Sequence, residues 1–234
     1  MIGLCQLRVT ADKESNILHA RSKIEEAAER GAKLVVLPEI WNSPYSNDSF
    51  PLYAEDIDAG VDASPSTAML SEIARLSEIT IIGGSIPERS GDKLYNTCCV
   101  FGPDGKLKAK HRKVDTEVGR IGIGICYDIN FQELAMLYAA RARARWCSID
   151  LLSWSIQHDY GGLHTGNYCK EQEATDNQLY VATCSPARDA AAGYVAWGHS
   201  TLVGPFGEVL ATTEHDEAIL ISEIDYSQIK LRRL

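Results

Sequence analysis

The hydrophobic and polar positions of this chain alternate between short apolar runs and longer amphipathic stretches, which is the pattern of an α/β protein. Residues 2–7 form an apolar strand, and residues 12–30 carry apolar side chains at helical spacing. Residues 33–37 are continuously apolar, which is typical of a strand covered on both faces. Further predicted elements are a helix over 65–76 and strands over 80–86, 94–101, 106–110, 121–125, 178–184, 198–203, 208–211 and 218–224.

The connections between these elements carry clear turn and loop signals. Pro87 is predicted to end the strand over residues 80–86. The Gly-Pro-Asp-Gly segment at 102–105 and the Gly-Pro-Phe-Gly segment at 204–207 predict hairpin turns. Residues 40–61 are rich in Asn, Ser, Pro, Asp and aromatic residues, and we predict a long loop of the kind that forms active-site walls. There is no internal repeat or low-complexity linker, so a single domain over 1–234 is sufficient.

Residues 120–134 join a strand to a helix at a cysteine. Three isoleucines alternate with two glycines over residues 121–125, which predicts a buried strand. Apolar residues recur at helical spacing from residue 131 onward, so Cys126 is predicted to lie on a sharp strand-to-helix turn. Such a turn suits a nucleophile. A cysteine that only fills space in the core is an equally good interpretation of this stretch alone.

Two other candidates follow predicted strands. Glu39 comes directly after the strand at 33–37, and ligand sites of α/β sheets form at the carboxyl ends of strands. The alternative is that Glu39 is simply a solvated side chain. The Lys-His-Arg-Lys segment at 110–113 follows a hairpin, and by its charge alone it is a solvated edge.

Composition narrows the function classes. The 234 residues are 45% hydrophobic and 24% charged, with a formal net charge of -9, which argues against binding to nucleic acid or anionic membranes. No apolar run approaches the length of a membrane span. Small-molecule chemistry is therefore expected. The first residues form a strand rather than a presequence, which favours a cytoplasmic protein, with an organelle address still open if the start is incomplete.

The numbers and spacings of the cysteines and histidines argue against a disulfide framework and against a metal site. The seven cysteines are odd in number and include no CxxC pair, and the six histidines show no metal-ligand spacing. We therefore expect reduced thiols, a cytosol-like compartment and no metal site.

Three motifs together resemble the carbon-nitrogen hydrolase (nitrilase) superfamily. They are Leu-Pro-Glu at 37–39, His-Arg-Lys at 111–113 and Gly-Ile-Cys-Tyr-Asp at 124–128. The superfamily carries a Glu-Lys-Cys triad on motifs of this form and in this order. Within it, further segments across most of the chain resemble the omega-amidase (Nit2-like) branch, namely 38–45, 95–97, 174–178, 184–189 and 196–200.

The resemblance implies a fold and a mechanism. The fold is an α-β-β-α sandwich that forms a homodimer through a helical face and needs no cofactor. Glu39 is the general base, Cys126 the nucleophile and Lys113 the oxyanion stabiliser, assisted by the backbone N–H of Tyr127. The substrates are dicarboxylic acid monoamides such as 2-oxoglutaramate and 2-oxosuccinamate, which react through a Cys thioester and release ammonia.

The chain also departs from the family pattern. Family members carry a long loop with a second glutamate after the triad lysine, whereas here residues 113–114 lead directly into 115–119. We therefore predict that one wall of the pocket is missing. The chain ends short of the family's C-terminal tail, and Asn130 stands where the family usually has arginine. That change is predicted to weaken the support of the nucleophile turn.

A second departure covers about residues 146–173. Codons can be written for residues 153–159 that, read one base later, encode the family sequence Pro-Gly-Ala-Phe-Asn-Met. Codons for residues 165–173, read from the last base of the first codon, encode Trp-Glu-Leu-Leu-Gln-Arg-Ala-Arg, which resembles the family's next helix. We predict an out-of-frame translation that places polar residues such as Asp150 in a buried strand, at about 1–3 kcal/mol for each one left unpaired. Four residues there receive no role: Cys147, His158, His164 and Cys169.

Three alternatives to an active omega-amidase remain open. The chain could be a catalytically impaired or inactive protein of the same fold, because of the missing loop and the shifted segment. It could also be another amidase or nitrile hydrolase of the nitrilase family. A papain-like pair of Cys126 and His199 requires the imidazole within hydrogen-bond reach of the thiol.

Overall fold

Two six-stranded β-sheets form the centre of the computed structural model, which describes residues 1–110, 114–116, 119–125, 132–133, 136–137, 148–151 and 165–232. The first sheet has the order β12-β1-β2-β3-β4-β5 and consists of β1 (Ile2–Gln6), β2 (Leu34–Val36), β3 (Thr80–Ser90), β4 (Lys93–Phe101), β5 (Leu107–Lys110) and β12 (Ala218–Ser222). The second has the order β11-β10-β9-β8-β7-β6 and consists of β6 (Val114–Thr116), β7 (Gly119–Ile125), β8 (Ser148–Leu151), β9 (Val181–Thr183), β10 (Thr201–Val203) and β11 (Val209–Thr212).

The helices lie before, between and after these strands. Asp12 caps the first helix by accepting a hydrogen bond from the Ser15 N–H, and the chain leaves this helix through Gly31 at φ +89°. Gln132, Glu133, Met136 and Leu137 are helical and exposed, in agreement with the helix predicted after residue 131. Besides these four residues, the structure describes the helices α1 (Lys13–Glu29), α2 (Phe50–Tyr53), α3 (Pro65–Leu76), α4 (Thr165–Asn177) and α5 (Tyr226–Arg232), with a 3-10 turn at Ile57–Ala59.

Apolar packing arranges these elements in four layers. Helices α1 and α3 bury side chains such as Ile24 and Leu70 against the outer face of the first sheet. Between the sheets, one core cluster contains residues of both, including Val36 and Ile123. Ala174 of α4 packs with β9 and β10 on the outer face of the second sheet. The α-β-β-α sandwich predicted from the sequence is confirmed.

The inner face of α4 is unusually polar. Lys170 is 4% exposed and Glu173 6% exposed, beside the fully buried Ala174. Lys170 Nζ donates to the His199 carbonyl at 3.2 Å and to Thr201 Oγ1 at 3.3 Å. Buried charge at this place is what the predicted out-of-frame segment would produce. The origin of the segment itself stays a prediction.

Strand β3 does not end at Pro87, so that boundary was wrong. The strand continues to Ser90, and Pro87 is paired with Asn96 of β4. The Pro87 carbonyl accepts from the Glu55 N–H, on the side of β3 that faces away from β4. A strand residue points its N–H and C=O the same way, so the N–H that proline lacks is not needed for pairing with β4.

Two predicted strands are shorter than expected. The strand predicted over 178–184 is β9, and Gln178 before it adopts φ +55°. The strand predicted over 198–203 is β10, and both Gly198 and His199 have positive φ values. A left-handed backbone cannot continue a β-ladder, so the strands begin after these residues.

The connection between β6 and β7 is short. Thr116 pairs with Gly119 and Val114 with Ile121, so two residues, 117 and 118, join the paired ends. This hairpin lies where we predict that the family's long loop is missing. The loop deletion, the C-terminal truncation and the domain span of 1–234 stay predictions. No helix within the described ranges is long and apolar enough to cross a bilayer.

Candidate active site

Glu39 is a buried carboxylate at the carboxyl end of β2. It is 1% exposed, so the alternative of a solvated side chain is wrong. Asn96 Nδ2 donates to Glu39 Oε1 at 2.7 Å, and the Tyr45 hydroxyl donates to the same oxygen at 3.5 Å. A buried carboxylate is costly unless hydrogen bonds compensate its desolvation. A buried carboxylate at the carboxyl end of a strand therefore marks this position as a candidate site.

A close approach of two backbone segments holds this carboxylate in place. The Ser85 N–H donates to the Pro38 carbonyl at 3.2 Å, and the Ile40 N–H donates to Ser85 Oγ at 3.2 Å. Gly84 has φ +60°, and a Cβ there would lie 2.1 Å from the Pro38 oxygen. Only glycine therefore fits at residue 84. Ile40 also has a positive φ, of 48°, which turns the chain sharply after the glutamate.

The strand β4 brings Asn96 to the glutamate. Asn96 pairs with Pro87 in the β3–β4 hairpin. Cys98, two residues further on, belongs to the core between the two sheets. Residues two apart on a strand share a face, so Asn96 also lies on the face toward the second sheet. Asn96 is exposed, whereas the carboxylate that it contacts is buried.

The strand ends of both sheets meet at the same edge of the sandwich. Ile125, the last residue of β7, pairs with Leu151 of β8, and β8 runs parallel to β9, which ends at Thr183. Cys184 follows, and its Sγ lies 3.4 Å from the Val36 carbonyl at the end of β2. The end of β7 is therefore at the edge of the sandwich that holds Glu39.

Three of the four predicted site residues, Lys113, Cys126 and Tyr127, lie outside the described residues. Their roles stay predictions, and so does the papain-like pairing of Cys126 with His199. Asn130 and most of the shifted segment also lie outside the described residues.

The described neighbours of Lys113 come from the two sheets. Lys110 at the end of β5 pairs with Cys99, and in this antiparallel register the chain leaves β5 in the direction of Asn96. Val114 begins β6 opposite Ile121, on the side of the β7 carboxyl end.

Lys110 is held by acidic groups and is not part of a simple solvated edge. Its Nζ lies 2.7 Å from Asp58 Oδ1 and 2.9 Å from Glu88 Oε1. Partial burial acts to lower the pKa of Lys110, but the hydrogen bonds to these two carboxylates outweigh it and raise that pKa. The pattern of charges along the sequence contained no signal for this pairing.

The other described thiols are poor nucleophiles. Burial raises the pKa of Cys5 and of Cys99 to about 12. Burial also raises the pKa of Cys98 and of Cys184 well above the ordinary value. Such thiols form little thiolate at neutral pH. All four are free cysteines.

Aromatic residues from distant loops meet beside the carboxylate. The ring of Tyr45 stacks on that of Tyr194 with centroids 4.3 Å apart and meets Phe50 edge to face at 5.6 Å. The predicted wall loop at 40–61 thus contributes Tyr45 to the site. Tyr194 was missed, because only the fold brings residues 45 and 194 together.

A second cluster surrounds His199. Its ring stacks on Trp197 at 4.9 Å and meets His215 edge to face at 4.6 Å, while the Arg188 guanidinium lies 4.4 Å from the Trp197 ring centroid. Burial lowers the pKa of His199, and the electrostatic effects of His215, Lys170 and Arg188 lower it further. Among the residues that the structure describes, no group of three or more His, Cys, Asp or Glu could hold a metal ion.

Comparison with known proteins identifies the family. The model of the carbon-nitrogen hydrolase family matches residues 1–233. The chain belongs to the carbon-nitrogen hydrolase family. The family predicted from the three motifs is therefore confirmed, and so is the enzyme class, a hydrolase of carbon-nitrogen bonds.

Several relatives cover nearly the whole chain. It is 64% identical to a protein of Arabidopsis thaliana named omega-amidase, chloroplastic, over 99% of this chain and 69% of that protein. It is 44% identical to the omega-amidase NIT2 of Homo sapiens, over 97% of this chain and 89% of that protein. The crystal structure of Nit3 of Saccharomyces cerevisiae, a member of branch 10 of the nitrilase superfamily, superimposes with a TM-score of 0.91 at 39% identity, covering 99% of this chain and 92% of that one.

The alignment with the Arabidopsis relative spans 260 positions, whereas this chain has 234 residues. The relative therefore contains residues that have no counterpart here.

Proposed function

We propose that this carbon-nitrogen hydrolase is an omega-amidase. It hydrolyses the terminal amide of dicarboxylic acid monoamides, such as 2-oxoglutaramate and 2-oxosuccinamate, to the acid and ammonia. The observation that carries the proposal is the position of the buried Glu39. It lies at the same edge of the sandwich as Ile125, the last residue before Cys126. The chain is also 64% identical to an omega-amidase.

The proposed reaction uses a thioester. Glu39 accepts the proton of the Cys126 thiol, and the sulfur attacks the amide carbon. Lys113 and the Tyr127 N–H stabilise the negative charge on the carbonyl oxygen, where the loss of one donor typically costs about 10²-fold in rate. The C–N bond breaks, and the nitrogen takes the proton from Glu39 and leaves as ammonia. Glu39 then removes a proton from water, which hydrolyses the thioester and frees the thiol.

The described strands support this arrangement. The end of β2 supplies Glu39, the end of β7 precedes Cys126, and both ends lie at one edge of the sandwich. Lys113 lies in the sequence between the end of β5 and the start of β6, and both of these strand ends lie at this edge, which supports its proposed role.

We also propose a cytoplasmic homodimer without a cofactor. The helical residues Met136 and Leu137 expose 54% and 48% of their surface, which supports association through a helical face. Light scattering after gel filtration tests the dimer, and a monomer at micromolar concentration contradicts it. Because the Arabidopsis relative is named chloroplastic, imaging of a fluorescent fusion of the full-length gene product tests the location.

Ammonia release from 2-oxoglutaramate tests the activity. The purified chain and its Cys126→Ala variant are compared, and turnover that the substitution abolishes supports the proposal. Cys5→Ala is the matched control, because Cys5 is a buried thiol with a strongly raised pKa, and it should retain turnover.

Two results contradict the proposal. The absence of ammonia above the blank, in a chain that folds, supports a catalytically inactive protein of this fold. Turnover only on other amides or on nitriles supports another activity of the family.

A further inference from the structure

We propose that Asn96 is a positioning residue for Glu39. Its side-chain amide fixes the orientation of the carboxylate and thereby directs the oxygen that accepts the thiol proton. The inference rests on the proposed function only in giving Glu39 the role of base.

The contact is short and its donor is unambiguous. Asn96 Nδ2 lies 2.7 Å from Glu39 Oε1. An ionised carboxylate has no proton to donate, so the asparagine must present its NH₂ group to this oxygen. Rotation of a carboxylate about its last side-chain bond is broad and weakly restrained. A hydrogen bond to one oxygen restrains that rotation and so also defines where the other oxygen lies.

The backbone that carries Asn96 is itself rigid. It belongs to the long β3–β4 hairpin, where it pairs with Pro87. On the opposite face of β4, Thr97 Oγ1 donates to Glu88 Oε2, and Lys110 Nζ donates to Glu88 Oε1 at 2.9 Å. These bonds connect β3, β4 and β5 next to Asn96. A side chain on such a strand is held more accurately than one on a loop.

The amide also suits the chemistry of a base. A hydrogen bond to the charged form of a carboxylate favours that form, which a proton acceptor requires. An aspartate in the same place would bring a second negative charge within about 3 Å and favour protonation of one of the two acids. Asparagine therefore supplies a donor without the like charge that its isosteric acid would add.

Three substitutions test the proposal, with kcat and KM measured for 2-oxoglutaramate. Asn96→Ala is expected to lower kcat by about 10- to 100-fold with little change in KM, because a misdirected base slows chemistry more than binding. Asn96→Asp is expected to lower kcat further. Asn96→Ser, whose hydroxyl is too short to reach Glu39, should behave like Asn96→Ala and provides a second variant if alanine disturbs folding.

Tyr95→Ala is the matched control. Tyr95 is the adjacent β4 residue on the opposite face and is 48% exposed. It should retain the native kcat, whereas a loss equal to that of Asn96→Ala would indicate a general effect on β4 and overturn the proposal.

A double-variant cycle with Glu39→Gln separates positioning from a merely structural effect. If Asn96 acts through Glu39, then Asn96→Ala should cause no further loss in the Glu39→Gln background. Additive losses overturn the proposal. So does an Asn96→Ala variant with native kcat.

The rate of Cys126 alkylation by iodoacetamide, followed by mass spectrometry, is a readout that needs no amide substrate. It should fall in both Asn96→Ala and Glu39→Gln, because each impairs removal of the thiol proton. If the native chain releases no ammonia, the proposed function fails, and these alkylation rates still decide the role of Asn96. Equal rates in the native chain and Asn96→Ala overturn it.

Discussion

Glu39 and Glu55 are both buried beside the first sheet, but their carboxylates have different hydrogen-bond partners. Glu39 is 1% exposed and Glu55 2% exposed. Glu55 pairs with Lys13 at 3.0 Å, and both of its oxygens accept further hydrogen bonds. The donors are Ser64 Oγ at 2.8 Å, Ser66 N at 3.1 Å, Ser66 Oγ at 2.7 Å and Asn42 Nδ2 at 3.3 Å.

The two carboxylates differ in which elements of the fold supply their hydrogen-bond donors. The partners of Glu55 come from the start of α1, the segment between β2 and α3, and the start of α3. This carboxylate therefore links parts of the outer layer. Glu39 accepts from Asn96 on β4 and from Tyr45, at the edge shared by both sheets. Burial alone therefore does not identify a functional acid. The surroundings predict a structural role for Glu55 and a chemical role for Glu39.

The largest expected effect is on catalysis by Glu39→Gln. We expect kcat to fall by about 10³-fold, because the amide cannot accept the thiol proton. The free energy of unfolding should change by only about 1 kcal/mol or less, since the shape is kept. Ammonia release and urea unfolding measure the two quantities. A variant whose free energy of unfolding falls by about 3 kcal/mol while its kcat stays native would reverse the comparison.

Glu55→Gln should have the opposite profile. We expect the free energy of unfolding to fall by about 3 kcal/mol, because the Lys13 pair and charged hydrogen bonds are lost. In folded protein, kcat should remain within about 3-fold of native. Glu72→Gln is the control, since Glu72 forms an exposed pair with Arg21 that should contribute about 1 kcal/mol or less. Equal destabilisation by both substitutions would contradict the structural role of Glu55.

Helix α4 carries another buried acid, Glu173, beside the buried Lys170. We expect the combined Lys170→Met and Glu173→Leu substitution to raise the free energy of unfolding by about 2 kcal/mol, since buried charges lose their hydration. Gln172→Met, at an exposed position of the same helix, should change it by less than about 0.5 kcal/mol. Urea unfolding measures both. Destabilisation by the double variant would show that this buried charge, like Glu55, holds the fold together.

The smallest expected effect is that of Tyr45→Phe. Its hydroxyl contacts Glu39 Oε1 at 3.5 Å, the outer limit of a hydrogen bond, and phenylalanine keeps the stack on Tyr194. We therefore expect kcat to fall by less than about 5-fold. Steady-state ammonia release measures it. A loss of about 50-fold or more would place Tyr45 beside Asn96 as a group on which Glu39 depends.

Local pattern was sufficient to predict much of the fold. The helix predicted over residues 65–76 coincides with α3, and the apolar run at 33–37 contains β2, which is buried on both faces. The boundary at Pro87 was wrong because the direction of its missing N–H depends on the partner strand. The predicted starts of β9 and β10 were wrong because Gln178 and His199 adopt positive φ values. Neither residue is a glycine, and for other residues the sequence carries only a weak signal for positive φ.

For the candidate site, too, the sequence predicted one part and the fold decided another. Motif order identified Glu39 and the family, since these are properties of short segments. Asn96 was only part of a matching motif, and its contact with Glu39 joins residues 57 positions apart. The stack of Tyr45 on Tyr194 spans a still greater separation.

For this chain, periodicity and turn residues accounted for the layers, and motifs accounted for the family. Which carboxylate is structural and which faces the shared edge depended on the packing of the sheets. The physical reason is that desolvation and hydrogen-bond geometry arise from groups far apart in the sequence. Glu39 and Glu55 each follow an unremarkable local pattern and acquire different surroundings only when β4, α1 and α3 are in place.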